Sequence, residues 1–335
     1  MQLACSLAGL EVSGPGEKVA WWTTFSYEGA RYELAHQKFG LRLRIDATDL
    51  DQSETDSRLN GAATRLVSAT RLVEKEIGRS SKHFIDRGDA TVANQHRRLA
   101  DVYAYFRDRA TNPVVIEDLN ERHDGAWGTS WMFRSGAAQM DLNASHDVSA
   151  AVTAYLSLLE HRLVLTLPFA AFDPYVDHLT TFIGQRWGLK WKRVFGNADA
   201  AGSLLARLVE VIEAWRNPYA HGGFEKGHGS TIYVHVPGAG AIPVGLSAAR
   251  ARPSLSLGIT NSVPIPDVFE LFDAIDEWFD TTWSQAASWI GSGLAVRFDS
   301  EFIEQIAHVD GDEARFRTML DDFEYRQDQI DNMDY

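Results

Sequence analysis

Two side chains carry the most chemistry in this sequence: Arg216 and His221, within the run Trp215-Arg216-Asn217-Pro218-Tyr219-Ala220-His221-Gly222-Gly223. Metal-free cleavage of an RNA phosphodiester needs a group to help the 2′-hydroxyl attack phosphorus and another to protonate the leaving 5′-oxygen. It also needs a cation to balance charge on the phosphoryl oxygens. Histidine suits the proton transfers because it titrates near neutral pH, and arginine suits the charge role because its planar fork grips phosphate. A plainer use is also open. Arg216 can pair with Glu160 or Glu213 to tie two helices together, with His221 at a helix C-terminus.

Positioning these groups falls to a helix expected over Ala200 to Trp215. Along an ideal helix a five-residue step rotates the chain by roughly 500°, which leaves the two side chains about 140° apart. Pro218 changes that expectation, since it lacks an N–H and its ring presses on the preceding turn. A kink or restart is expected around Asn217, a residue type that tolerates unusual backbone conformations and can cap a restarted turn. Such a bend brings Arg216 and His221 into one pocket.

Arg216, Asn217, the spacer ending in Ala220, then His221 and Gly222 resemble the signature of the HEPN superfamily of helical ribonuclease domains. The upstream helix Ala154 to Phe169, with Glu160 amid apolar neighbours, and the connector Lys190-Trp191-Lys192-Arg193-Val194-Phe195-Gly196 look like the first long helix and linker of such domains. The resemblance covers about residues 145 to 225 and extends toward Ile290. It implies catalytic roles for Arg216 and His221, with Asn217 orienting the arginine or the phosphate and Glu160 positioning Arg216. It also implies a homodimer with a composite site, products ending in a 2′,3′-cyclic phosphate, no metal and no cofactor. A setting in antiviral defence or a toxin and antitoxin pair follows from it, with an antitoxin or a trigger protein as partner. Some toxins of the family carry a tyrosine two residues after the histidine. Gly223 stands there, so regulation by nucleotidylation is not expected.

Lys190, Lys192 and Arg193, with Tyr219 in the motif, are the candidates for contacting RNA. The interleaved Trp187 and Trp191 serve equally well as core. Charge runs the other way: Asp and Glu total 46 against 32 Lys and Arg, a net −14. Polyanion binders tend to be basic, which keeps open a non-catalytic nucleotide-, RNA- or protein-binding module. From Asp299 to Tyr335 twelve acidic residues face three basic ones, so this stretch holds nine of the fourteen excess charges. It reads as a solvated face, with a phosphate-mimicking inhibitory role as the sharper alternative. Cys5 is the single cysteine, which leaves no pair for a disulfide or a zinc cluster. His228 and His235 lack metal-ligand spacing.

The fold class expected is mainly α: a C-terminal HEPN-like helical bundle over 145–335 and an N-terminal α+β region over 1–140 with a sensing or regulatory role. A small antiparallel sheet is expected from Lys18 to Ile45, with turns at Glu28-Gly29 and Gly40, and then a capped helix running to Gly78. Another helix is expected over about Ala90 to Ala110. Thr111 to Met140 reads as a connector with some extended structure that holds Trp127, Trp131 and Phe133. A few of the ten tryptophans are candidates for exposure, for stacking on bases or packing on a partner. Helix is expected over His146 to Thr166 and Tyr175 to Trp187, loops over Gly188 to Ala198 and Gly238 to Pro243, a strand over Thr231 to Val236, and a long helix over Pro266 to Ile290. The apolar run Leu156 to Phe172 is broken by Glu160, His161 and Arg162, so no membrane span is expected. The first residues lack the pattern of a secretory signal, which points to a cytoplasmic protein.

Overall fold

The structure, a computed structural model, describes residues 1–48, 50–217, 232–238, 240–245, 254–255 and 263–332. Residues 218–231 lie outside these, and with them Pro218, Tyr219, His221, the glycine pair and His228. The described chain is mainly helical with a small antiparallel sheet near the N-terminus. It divides into two compact units, Met1–Asp89 with Thr318–Tyr335, and Ala90–Arg317.

The first unit opens with α1 (Gln2–Leu7) and the strands β1 (Val12–Ser13), β2 (Val19–Tyr27), β3 (Ala30–Gln37) and β4 (Gly40–Ile45), paired antiparallel in that order. Glu28 and Gly29 make the β2–β3 turn with φ of 47° and 78°, the two-residue loop whose twist matches a hairpin. Alternation places Trp21, Phe25, Tyr32, Leu34 and Leu43 on one face. There they meet Leu59, Ala62 and Leu66 of α2 (Gln52–Asp86). Asp51 caps this helix by accepting the Glu54 N–H at 2.8 Å. The helix runs past Gly78, its expected end. A mid-helix glycine costs only about 1 kcal/mol relative to alanine, and the Lys82–Asp86 pair one turn apart supports the continuation.

The second unit contains β5 (Thr91–Val92), α3 (His96–Thr111), the hairpin β6 (Leu119–Gly125) and β7 (Gly128–Arg134), and α4 (Gly136–Thr166). A 3-10 turn (Leu167–Phe169), α5 (Leu179–Gly184), α6 (Trp187–Phe195) and α7 (Asp199–Val211) follow, and α7 passes into a π-turn at Ile212–Arg216. Next come β8 (Ile232–Val236), β9 (Gly240–Gly245), β10 (Ser254–Leu255), α8 (Ile265–Thr282), α9 (Ser284–Ser292), β11 (Val296–Arg297), α10 (Ser300–Val309) and α11 (Glu313–Asp331), whose residues from Thr318 on belong to the first unit.

The boundary between units falls at Asp89/Ala90 rather than near residue 140, because α3 belongs with α4. The two run antiparallel, with Arg109 bonded to Asp147 at one end, Tyr103 against Tyr155 in the middle and His96 beside Arg162 at the other. β5 also pairs with β11, which closes the second unit on itself.

Other departures have local causes. The expected loop Gly188 to Ala198 is mostly α6, because Trp187, Trp191 and Val194 recur at helical spacing and the last two are buried. Gly238 to Pro243 is partly strand, since β9 pairs with β8. Tyr175 to Trp187 holds only the short α5. The long C-terminal helix is split at Trp283, with φ −120° and ψ 43°.

α4 is the axis of this unit. By length and composition Gly136–Phe169 would reach across a bilayer, and 61% of its apolar window is buried inside the protein. Tyr155 stacks on Phe272 at 3.9 Å, and Trp191 of α6 stacks on Trp278 of α8 at 5.8 Å. These aromatic contacts bind α8 to both α4 and α6.

Candidate active site

Pro218 has no N–H to give the Ala214 carbonyl, and a proline ring crowds that oxygen in a regular helix. The chain meets this chemistry with a π-turn over Ile212–Arg216, a widened turn often found at functional sites. Asn217 itself keeps right-handed helical angles, φ −62° and ψ −38°. The irregularity expected at Asn217 therefore sits one turn earlier. Ala214, Trp215 and Asn217 are buried, and the Trp215 Nε1–H donates to the Val263 carbonyl at 3.0 Å. Arg216 is half-buried between them and makes no hydrogen bond or ion pair with a described residue. Tyr219 and His221 lie outside the described residues, and so does the geometry between Arg216 and His221.

Glu160 is not the partner of Arg216. Its carboxylate takes the Lys190 ammonium, whose side chain is 1% exposed against 46% for the glutamate. A buried ammonium without a counter-charge is costly, and that cost explains the pairing. Lys190 is thereby withdrawn from the expected RNA-contacting face. Arg193 is engaged as well: it donates to the carbonyls of Ala170 and Ala171 at 3.0 and 3.2 Å and to Asp177 at 2.8 Å, clamping the chain after the 3-10 turn. Lys192 is exposed, whereas Trp191 is core and donates its Nε1–H to the Ala201 carbonyl at 3.2 Å.

Glu160, His161 and Arg162 interrupt the apolar face of α4 in succession. Steps of about 100° send consecutive side chains in three directions, and each finds a partner. Glu160 reaches α6, His161 Nε2 accepts the Gln95 N–H at 2.9 Å, and Arg162 forms an ion pair with Asp276 of α8. No protein-family model, curated protein or solved structure matches this chain.

The Arg162 cluster brings an arginine and a histidine together away from the motif. Arg162 Nε faces His96 Nδ1 at 3.4 Å, and the Tyr155 hydroxyl donates to Asp276 at 2.8 Å. Burial first, and then the neighbouring guanidinium, push the His96 pKa down to about 4. Burial likewise lifts the Tyr155 phenol well above its usual range. A base so weak is poorly matched to proton transfer at neutral pH. The Arg162 side chain is 11% exposed and its charge is already met by Asp276, so it is not placed to embrace a phosphate. The cluster locks α3, α4 and α8 together. The signal for it is the one that singled out Glu160: a charge on an apolar helix requires a partner.

Proposed function

We propose that the chain is a metal-independent endoribonuclease of the HEPN type, working as a homodimer in the antiviral or toxin setting that the motif resemblance implies. The observation that carries this reading is the state of Arg216. A half-buried guanidinium without a described partner is held at the end of a π-turn between two buried anchors, Trp215 and Asn217. Such a group can meet a phosphoryl oxygen with little reorganisation. In this reading the antiparallel α3–α4 pair, α7 with its π-turn and α8 form the HEPN-like bundle.

The reaction forms a bond from the 2′-oxygen to phosphorus and breaks the bond from phosphorus to the 5′-oxygen. One proton leaves the 2′-hydroxyl and one joins the 5′-oxygen. His221 handles one of these transfers, its counterpart in the second copy handles the other, and Arg216 balances the phosphoryl charge. Glu160 has no part in this scheme, because it serves Lys190. Lys192 is the one of the three connector cations left exposed for RNA.

A second reading, a binding module of the same fold that cleaves nothing, is favoured by the net charge of −14 and by the internal engagement of Lys190 and Arg193. Incubating RNA with the protein in EDTA separates the two readings. Cleavage by the wild type to 2′,3′-cyclic phosphate ends, lost in both Arg216→Ala and His221→Ala, is the result expected of the enzyme. RNA that is bound yet left intact by the wild type replaces the enzyme with the binding module.

A further inference from the structure

We propose that the hairpin β6–β7 is an arm through which two copies of this chain join, β7 of one copy pairing antiparallel with β7 of the other. The proposal does not rest on the nuclease reading. Both strands are exposed on both faces, and among the described residues the sheet has only these two strands. An isolated two-stranded hairpin is marginal in water, and three or more strands with an apolar face are needed for independent stability.

The root of the arm is nonetheless firmly seated. The Gly136 N–H donates to Asp118 at 2.8 Å, and a Cβ on Gly136 would stand 1.9 Å from the Ile116 carbonyl oxygen. Only glycine permits that approach. The arm is thus held in place at its base and left without cover along its length.

What it presents is apolar. Trp127 at the turn is fully exposed, Trp131 is 71% exposed and Phe133 is 63% exposed. At about 150–250 Å² for each ring, these three offer about 400–600 Å² per copy, near the upper limit for a patch on a monomer. Two such patches meeting approach the low end of the area buried by specific complexes.

The two edges differ in charge. β6 carries Glu121, Arg122, His123 and Asp124 in succession, the kind of residues that guard an edge against pairing. β7 is uncharged from Gly128 to Phe133 and is rich in strand formers. Nothing on that edge repels an identical copy. In a register centred on Trp131, Thr129 faces Phe133 of the second copy, and the Trp131 and Phe133 rings of both copies share one face of a four-stranded sheet. Arg122 lies over Trp131 at 5.7 Å and is already paired with Asp124, so it adds no unmatched charge there. Across residues 117–134 four acidic side chains outnumber two arginines, which disfavours a nucleic acid as the occupant.

Ser130→Cys with a short bis-maleimide tests the arrangement in the full chain. Strand spacing and rise place the two Ser130 Cα atoms about 8 Å apart in that register. Cys5, the native cysteine, is 2% exposed, so the new thiol is the reactive one. A cross-linked dimer at tens of micromolar is expected, lost when either Trp131→Lys or Thr129→Lys is added, with none from Ser57→Cys on α2. The proposal is overturned by the absence of a dimer from Ser130→Cys, by an equal yield from Ser57→Cys, or by a yield that survives both lysine substitutions.

Discussion

Arg162 Nε faces His96 Nδ1 across 3.4 Å, so an imidazole and a guanidinium meet on the edge of the α3–α4–α8 core with the imidazole held neutral. The His96 pKa falls from an ordinary 6.5 to about 4 in the folded chain. Between those values the unfolded chain binds more protons than the folded one, so stability is full above about pH 6.5 and is lost as pH falls toward 4. His96 is only half-buried, and solvent screening discounts the effect to about 1 kcal/mol. Urea unfolding at stepped pH should show this loss, and His96→Gln should flatten part of it. His161, whose pKa burial also lowers, leaves a residual slope of the same sign. A wild-type stability that does not change from pH 7 to 4.5 contradicts this account.

The Lys190–Glu160 pair predicts an asymmetry between two substitutions. Glu160→Gln leaves a buried ammonium with a neutral acceptor and should cost about 1–3 kcal/mol. Lys190→Met removes the buried charge and fills its volume, which is often neutral or stabilising. Denaturant midpoints at constant slope measure both. Equal destabilisation by the two would mean that the pair contributes through specific geometry rather than by relieving a buried charge.

Trp215→Phe removes the indole N–H that reaches the Val263 carbonyl at 3.0 Å. It keeps most of the buried ring. The lost hydrogen bond and a small cavity together should cost about 1–3 kcal/mol, seen as a lower melting temperature. A melting temperature unchanged within error would show that the bond does not hold the π-turn to the chain before α8.

Much of the first unit was legible because period-two alternation and the Glu28-Gly29 turn act over a few residues. That a few tryptophans would be exposed was legible, but which ones was not: Trp191 lies in the core and Trp127 and Trp131 on the surface. The unit boundary was not, because the pairing of α3 with α4 spans a hairpin of unrelated composition and depends on contacts such as His96 with Arg162, 66 positions apart. Lys190 misled for a related reason: a lysine among aromatic residues reads the same on a surface as in a core until its partner, thirty positions away on α4, is known. The π-turn was foreshadowed by Pro218, but the sequence did not say which side of Asn217 would absorb the distortion.

Arg216→Lys separates a chemical role from a structural one. The residue is half-buried and unpaired among the described residues, so retaining a positive charge there should change folding stability by less than about 0.5 kcal/mol. In the nuclease reading the cost falls on catalysis instead. A lysine cannot supply the bidentate fork, and losing one preorganised donor to a developing oxyanion typically lowers kcat by about 10²–10³. Single-turnover cleavage in EDTA beside a thermal melt measures both quantities on one preparation. Unchanged cleavage with an unchanged melt removes Arg216 from the chemistry, whereas a melt lowered by several degrees assigns the guanidinium to holding the helix end.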